Sequence, residues 1–280
     1  MSRSAPERRV TRVSVGEARA SVRDTLAGEE PLEIRVHGRS LAVTMRTPGN
    51  DFDLAAGFLV SEGVITSSRE LTTMRYCDGA GEDGVNRFNV LDLSLAPDVA
   101  APDDSVARSF FTTSSCGLCG KASIDAVRTR SRFDVGDDPM VVSPEFLVAL
   151  PQRLREAQEI FESTGGLHAA ALVDVNSGEL VVLREDVGRH NAVDKVVGWA
   201  LREGRLPLRA TILLVSGRAS FELVQKAVMA GVAMLCAVSA PSSLAADLAD
   251  ESGLTLVGFL RDPSFVVYSH PQRISPTTER

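Results

Sequence analysis

At 280 residues, 44% of them hydrophobic and 24% charged, the chain is long enough to bury a substantial core in one large or two smaller domains. A net charge of −7 gives nucleic-acid binding no electrostatic support. No apolar run approaches the roughly 20 residues of a membrane span, no signal-peptide pattern opens the chain, and the few cysteines fit a reducing cytoplasm.

Residues 1–9 read as a disordered tail. Short β-like runs follow at Arg12–Val15, Leu32–Val36, Leu41–Met45, Leu71–Cys77 and Val85–Leu95. A helix interrupts them at Asn50-Asp-Phe-Asp, which opens with good N-cap residues and puts Phe52, Leu54, Ala55, Phe58 and Leu59 on an apolar face. Residues 96–109, rich in Pro, Asp and Ala, read as a linker. A cysteine loop comes next, then a helix from Pro144 to about Phe161, stopped by Thr164-Gly165-Gly166.

Beyond that point the pattern changes. Ala169–Val175 and Glu179–Arg184 form a hairpin around Asn176-Ser177-Gly178. Helix Ala192–Arg202, strand Thr211–Val215, helix Phe221–Ala230, strand Ala233–Val238, helix Leu244–Glu251 and strand Thr255–Phe259 then alternate, as in a parallel sheet covered by helices. The fold class is therefore α/β, a three-layer domain with a smaller β-rich N-terminal subdomain. The implied units are a tail (1–9), the β-rich subdomain (10–109), the cysteine loop and connecting helices (110–165), the α/β domain (166–270) and a loose tail (271–280).

The most informative stretch is Ser114-Ser-Cys-Gly-Leu-Cys-Gly-Lys121. The residues after it are good helix formers, so Cys116 and Cys119 fall at a helix N-terminus, where unpaired N–H groups stabilise a thiolate. Lys121 adds positive charge, and Gly117 and Gly120 leave room for a large partner. A structural zinc site needs four ligands, whereas Cys77 and Cys236 are isolated and the four histidines show no paired spacing. A thioredoxin-like dithiol would follow a first β-strand and carry an aromatic-proline frame, which this motif lacks. The glycines and the Thr112-Thr-Ser-Ser run speak against two plain core cysteines. A reactive thiol pair, with no metal, is the preferred reading.

Two strand-to-helix turns share a chemical form. Val215-Ser216-Gly217-Arg218-Ala219-Ser220 and Val238-Ser239-Ala240-Pro241-Ser242-Ser243 both carry small and hydroxyl residues at the carboxyl ends of strands, where α/β sheets bind ligands. Plain helix capping by Ser220, Ser242 and Ser243 explains them equally well. A third run, Arg184 to Lys195, gathers acids, bases and an imidazole, with His190 and Asp194 on one helical face. Such a run is ordinarily a solvated face, yet Gly188 and Asn191 suggest a specific turn. His168 leads into a buried-looking strand and reads either as a satisfied core histidine or as a partner for a cysteine.

The segments SSCGLCG, TGGLHAA, REDVGRHNAVDKVVG, SGRASFELVQKA and AVSAPSSLA, in this order, resemble the formate dehydrogenase accessory sulfurtransferase family, the FdhD sulfur carriers. The resemblance runs from about residue 10 to 270. It implies a cytidine-deaminase-like α/β domain, a homodimer, and a persulfide on Cys116 received from a cysteine desulfurase; thiol exchange would let Cys119 assist release by attacking the inner sulfur of Cys116. It also implies delivery of that sulfur to the bis-molybdopterin guanine dinucleotide form of the molybdenum cofactor, for which GDP is a mimic, before the cofactor enters formate dehydrogenase. Deaminase chemistry itself is absent: the chain has no H-x-E, and a serine precedes Cys116. The resemblance places cofactor contacts on Phe259, Leu260, Arg261, Asp262, Pro263 and Ser264, where Arg261 offers a fork to phosphate, Asp262 an acceptor and Phe259 a stacking ring. Ser216, Gly217 and Ser239 would cradle the diphosphate. Asp262-Pro263 departs from the small or basic residues the family more often shows there. The alternative function is a cofactor-binding chaperone whose cysteines hold metal or structure.

Overall fold

The computed structural model describes residues 3–77, 88–102 and 131–276. The cysteine loop, with Cys116 and Cys119, lies outside the described residues, as does the start of the expected strand at Val85. Among the described residues twelve strands form three sheets, accompanied by six α-helices.

Strands β1 (Glu7–Arg12) and β2 (Ala20–Thr25) make an antiparallel, largely exposed ribbon. The first nine residues are thus not all tail. The Leu26 and Gly28 N–H groups donate to the Pro6 and Ser4 carbonyls, and Arg3 pairs with Glu30. Strand β2 escaped the sequence reading because its residues are nearly all exposed, so they carry no apolar alternation.

A four-stranded sheet follows, in the order β4-β3-β6-β5, from β3 (Glu30–Val36), β4 (Arg39–Arg46), β5 (Leu71–Tyr76) and β6 (Val90–Leu95). In β3 the buried Leu32, Ile34 and Val36 alternate with partly exposed residues, the period-2 signature of a half-buried strand. Helix α1 (Asp51–Ser61) packs on this sheet and on helices of the C-terminal half. Asn50 precedes it in a left-handed conformation and makes no side-chain cap, contrary to the N-cap expectation. Its first-turn acids are drawn into ion pairs instead: Asp51 with Arg46 at 2.8 Å, and Asp53 with Arg184 at 2.9 Å and with Arg202.

Helix α2 (Pro144–Glu156) starts where the Ser143 hydroxyl accepts the Phe146 N–H, with Pro144 at its first position. The chain bends at Ala157–Gln158, so the single helix expected to Phe161 is two, the second being α3 (Glu159–Thr164). Gly165, at φ +66°, ends it.

The main sheet has six strands in the order β12-β11-β10-β9-β7-β8. It comprises β7 (His168–Asp174), β8 (Leu180–Asp186), β9 (Thr211–Val215), β10 (Met234–Ala237), β11 (Thr255–Arg261) and β12 (Ser264–Ser269). The sheet is mixed rather than all parallel. β9, β10 and β11 are parallel, β7 runs antiparallel to both β8 and β9, and β12 runs antiparallel to β11. Strands β8 to β11, β7 excepted, therefore share one direction and one carboxyl edge. Helices α4 (Arg189–Arg202), α5 (Phe221–Met229) and α6 (Ser243–Glu251) cover the sheet in a row, α4 on β7 and β8, α5 on β10 and α6 on β11 and β12. Strands β9 and β10 are buried throughout, as near-continuous apolar runs should be when helices pack on them. None of the described helices is long and apolar enough to cross a membrane.

The described residues that follow β12 are also built in. Arg273, 3% exposed, donates to the carbonyls of Val135 (2.7 Å), Gly136 (2.9 Å), Asp138 (3.1 Å) and Gly253 (2.9 Å). The Val142 N–H also donates to the Arg273 carbonyl and the Ser275 N–H to the Val142 carbonyl, so the described residues 271–276, which read as part of a loose tail, are fastened by side chain and backbone alike.

Candidate functional site

The carboxyl edge of the main sheet gathers most of the residues singled out in the sequence. Because β7 is antiparallel to β9, its first residue, His168, stands beside the end of β9. The Ser216 hydroxyl accepts the Ala169 N–H at 2.9 Å, and the Ser216 N–H donates to the Ala169 carbonyl at 3.0 Å. One loop along, the Ser239 N–H donates to the Gly217 carbonyl (3.3 Å), and the Phe259 N–H donates to the Ser239 carbonyl (3.2 Å). Ser216, Gly217, Ser239 and Phe259 are thereby stitched into one row across β9, β10 and β11. The expected juxtaposition holds.

Glycine is required in that row at one position above all. A Cβ on Gly258 would lie 2.8 Å from Pro241 Cδ and 2.9 Å from Tyr268 Cε2. Phe259 follows in the left-handed region, at φ +50°, and 40% of it is exposed. Arg261, Asp262, Pro263 and Ser264 form the exposed turn from β11 to β12. The Arg261 side chain makes no ion pair among the described residues, so the pairing with Asp262 that would have occupied it is not formed. Leu260 is different: it is fully buried in the core, and its side chain is not presented to a ligand.

The run from Arg184 to Lys195 is mainly a structural lock. Glu185 accepts the N–H groups of Ile160 (2.9 Å) and Phe161 (2.8 Å), holding the start of α3. Asp186, wholly buried, pairs with Lys195 at 2.7 Å and accepts the N–H groups of Thr47 and Gly188 and the Asn191 amide. Lys195 also donates to the Thr47 carbonyl at 2.9 Å. His190 and Asp194, one turn apart on α4, face Glu222 and Lys226, one turn apart on α5. His190 Nε2 lies 3.0 Å from Glu222 and Asp194 lies 2.8 Å from Lys226, while Ser61 donates to Asp194 at 2.6 Å. The sequence reading had the first pair and missed the second; an acid and a lysine four apart on a following helix were the available signal.

His190 Nε2 also lies 3.3 Å from the Ser220 hydroxyl, which itself donates to Glu222 at 3.2 Å. The same ring nitrogen meets both partners, so this trio is not a relay that would activate Ser220. Burial raises the Glu222 carboxyl, but the His190 hydrogen bond and charge, with Ser220 and Lys226, outweigh it and hold the group below the usual carboxylate range. His168 is half-buried, and a Cβ on Gly217 would sit 3.4 Å from its Nδ1. Burial first, then the charges of Arg189 and His190, lower its pKa, favouring the neutral imidazole.

Between α2, α3 and this edge lies a cleft of about 450 Å³, whose lining includes Pro151, Leu154, Gln158, Phe161, His168 and Ser216. Cys236 lies in the core, its thiol pushed far up by burial, and is an inert packing residue.

Fold and site together define a mixed α/β protein with a ligand-sized cleft and a run of strand-end loops on one edge of its main sheet. The chain belongs to the FdhD/NarQ family, whose model matches residues 27–275. It is 60% identical over 267 residues to "Sulfur carrier protein FdhD" of Mycolicibacterium paratuberculosis, covering 95% of this chain and 97% of that one. It is 62% identical over 276 residues to the protein of the same name from Streptomyces avermitilis, covering 98% and 97%. A solved structure from Desulfotalea psychrophila, assigned as a formate dehydrogenase accessory protein, superposes with a TM-score of 0.73 at 23% identity, over 97% of this chain and 99% of that one. That likeness speaks to the fold.

Proposed function

We propose that the chain is a cytoplasmic, homodimeric sulfur carrier serving formate dehydrogenase, with Cys116 as the carrying thiol. What carries the reading is family membership at about this identity over nearly the whole length, together with the C-x-x-C at Cys116 and Cys119. In the first step the Cys116 thiolate attacks the outer sulfur of a cysteine desulfurase persulfide. A new S–S bond forms on Cys116, the donor S–S bond breaks, and the desulfurase cysteine leaves as a thiolate, with no net oxidation. In the second, the Cys119 thiolate attacks the inner sulfur of the Cys116 persulfide. The terminal sulfur departs as hydrosulfide to the bis-molybdopterin guanine dinucleotide cofactor, which is substrate here. The Cys116–Cys119 disulfide left behind is reset by a thiol reductant.

Incubation with a charged desulfurase tests the first step. Mass spectrometry should find one labile extra sulfur on the wild type and on Cys119→Ala, and none on Cys116→Ala. Extra sulfur on Cys119 of the Cys116→Ala protein would reverse the assignment.

The nucleotide end of the cofactor is assigned to Phe259–Ser264, with Ser216, Gly217 and Ser239 alongside. The exposed Arg261 guanidinium, which makes no ion pair among the described residues, and the half-exposed Phe259 ring support this. GDP should bind Arg261→Ala roughly tenfold or more weakly than wild type, the loss expected for a charge-assisted contact. Equal affinities by calorimetry would remove Arg261 from the site.

A further inference from the structure

The β1–β2 ribbon adds nothing to the core. Among the described residues the hydrophobic cluster begins at Leu32, and the family model begins at residue 27, past the ribbon. A two-stranded sheet standing by itself is marginally stable in water, and nine of the twelve residues in these strands are exposed, on both faces. Its charge is opposite to that of the chain. Residues 7–25 carry five arginines against Glu7, Glu17 and Asp24, a net +2 where the whole chain is −7. Among the described residues only Arg23 of the five is ion-paired, to Glu7 at 3.3 Å, and both side chains are largely in solvent. Arg9 stands directly opposite Arg23 across the ribbon, and like charges so placed repel. Arg8 and Arg12 fall on the other face, by strand alternation. The arginines therefore ring the ribbon instead of lining one side. At its tip, where turns ordinarily carry small polar residues, Val13 is 64% exposed and Val15 wholly so.

We propose that the β1–β2 ribbon is a membrane-docking arm, whose tip valines enter an anionic lipid surface while its arginines meet the headgroup phosphates. An apolar tip inside a basic collar fits entry, tip first, into a layer that is anionic at its surface and apolar beneath. A flat acidic protein surface would meet one face of the ribbon and leave the arginines of the other in water. Arginine stems lie along apolar surface while the charged heads stay at headgroup level. Each arginine held near such a surface raises affinity roughly fivefold. Strands of this length span about 20 Å, more than two Debye lengths at physiological salt, so the acidic body is screened from the lipid. Docking of this kind is peripheral and reversible, and it does not rest on the sulfur-carrier reading.

The test is flotation of the full chain with two kinds of vesicle, phosphatidylcholine alone and phosphatidylcholine mixed with an equal part of phosphatidylglycerol. Wild type should float with the mixed vesicles, less so at high salt, and not with phosphatidylcholine alone. Arg9→Gln, Arg12→Gln and Arg19→Gln combined should weaken binding on the order of a hundredfold. Val13→Ser with Val15→Ser should weaken it about tenfold, since full burial of one such side chain contributes at least that. Val15→Trp keeps every charge, and its indole should emit at shorter wavelength on the mixed vesicles, over the background of the single native Trp199. A wild type that floats with neither vesicle overturns the proposal, as does one that floats equally with both. So does full binding by the triple arginine variant, which would place the contact on another surface. An unshifted Val15→Trp emission on vesicles that bind the protein also overturns it, and would make the arginines a contact for charged surfaces in general, acidic proteins included. None of these substitutions touches the core, and persulfide formation on Cys116 should be the same in all of them, so the two readings fail separately.

Discussion

His168 stands half-buried at the carboxyl edge, where burial and the neighbouring Arg189 and His190 charges lower its pKa. The sign of the consequence follows from linkage. Between the lowered native pKa and the ordinary value near 6.5, the unfolded chain binds more protons than the folded one. Stability from this group is therefore fully present above that ordinary value and is lost as pH falls below it. Glu222, with its lowered carboxyl, acts in the same sense at more acid pH, its contribution falling away below the usual carboxylate value. Urea titrations of wild type and His168→Gln should converge as pH is lowered from neutral toward 5, the wild type losing more stability over that interval. Parallel curves would show that His168 does not couple to folding.

Helices α1 and α4 meet where each carries a glycine. A Cβ on Gly57 would lie 1.8 Å from the Asp194 carbonyl oxygen, and one on Gly198 would lie 1.8 Å from that of Asp53. The two backbones are in direct contact there, and no side chain at either place can yield to make room. Overpacking of this kind costs about 1–3 kcal/mol and more when backbone must move. Gly198→Ala should lower stability by at least about 2 kcal/mol, read as a reduced urea midpoint with unchanged slope. An unaltered midpoint would mean the helices separate freely. The same contact shows why pattern reading stops short of packing. Apolar spacing marked α1 and assigned Phe52, Leu54, Ala55, Phe58 and Leu59 to its apolar face, of which Leu54, Ala55 and Leu59 are buried and Phe52 and Phe58 partly so. It could not say that Gly57 would meet Gly198, because that depends on a crossing between segments 141 residues apart in the chain.

At the scale of the whole molecule, the segment that carries the four-stranded sheet and the segment that carries the main sheet are joined by buried ions as well as by apolar contact. Asp186 and Lys195 on one side hold the Thr47 N–H and carbonyl on the other, while Asn191 donates to the Met45 carbonyl at 2.7 Å. Paired and fully hydrogen-bonded, these charges carry little net energy, but removal of either partner would strand the other in the core. Much of the architecture was legible in the sequence. Alternating strands and helices after residue 166, the hairpin at Asn176-Ser177-Gly178, and the strand-end loops at Ser216 and Ser239 are all local patterns of period, turn chemistry and small residues, and such patterns survive any tertiary arrangement. Family membership was legible for the same reason, since motifs are read in order along the chain. What only the tertiary structure decided was which side chains remain free once the fold is closed. It buried Leu260, placed most of the acids and bases of the Arg184–Lys195 run in internal pairs, and left Arg261 exposed with no ion pair among the described residues. A polar residue looks the same in a sequence whether its partner is another part of the chain or a ligand; only the long-range geometry that satisfies one donor and strands another tells them apart.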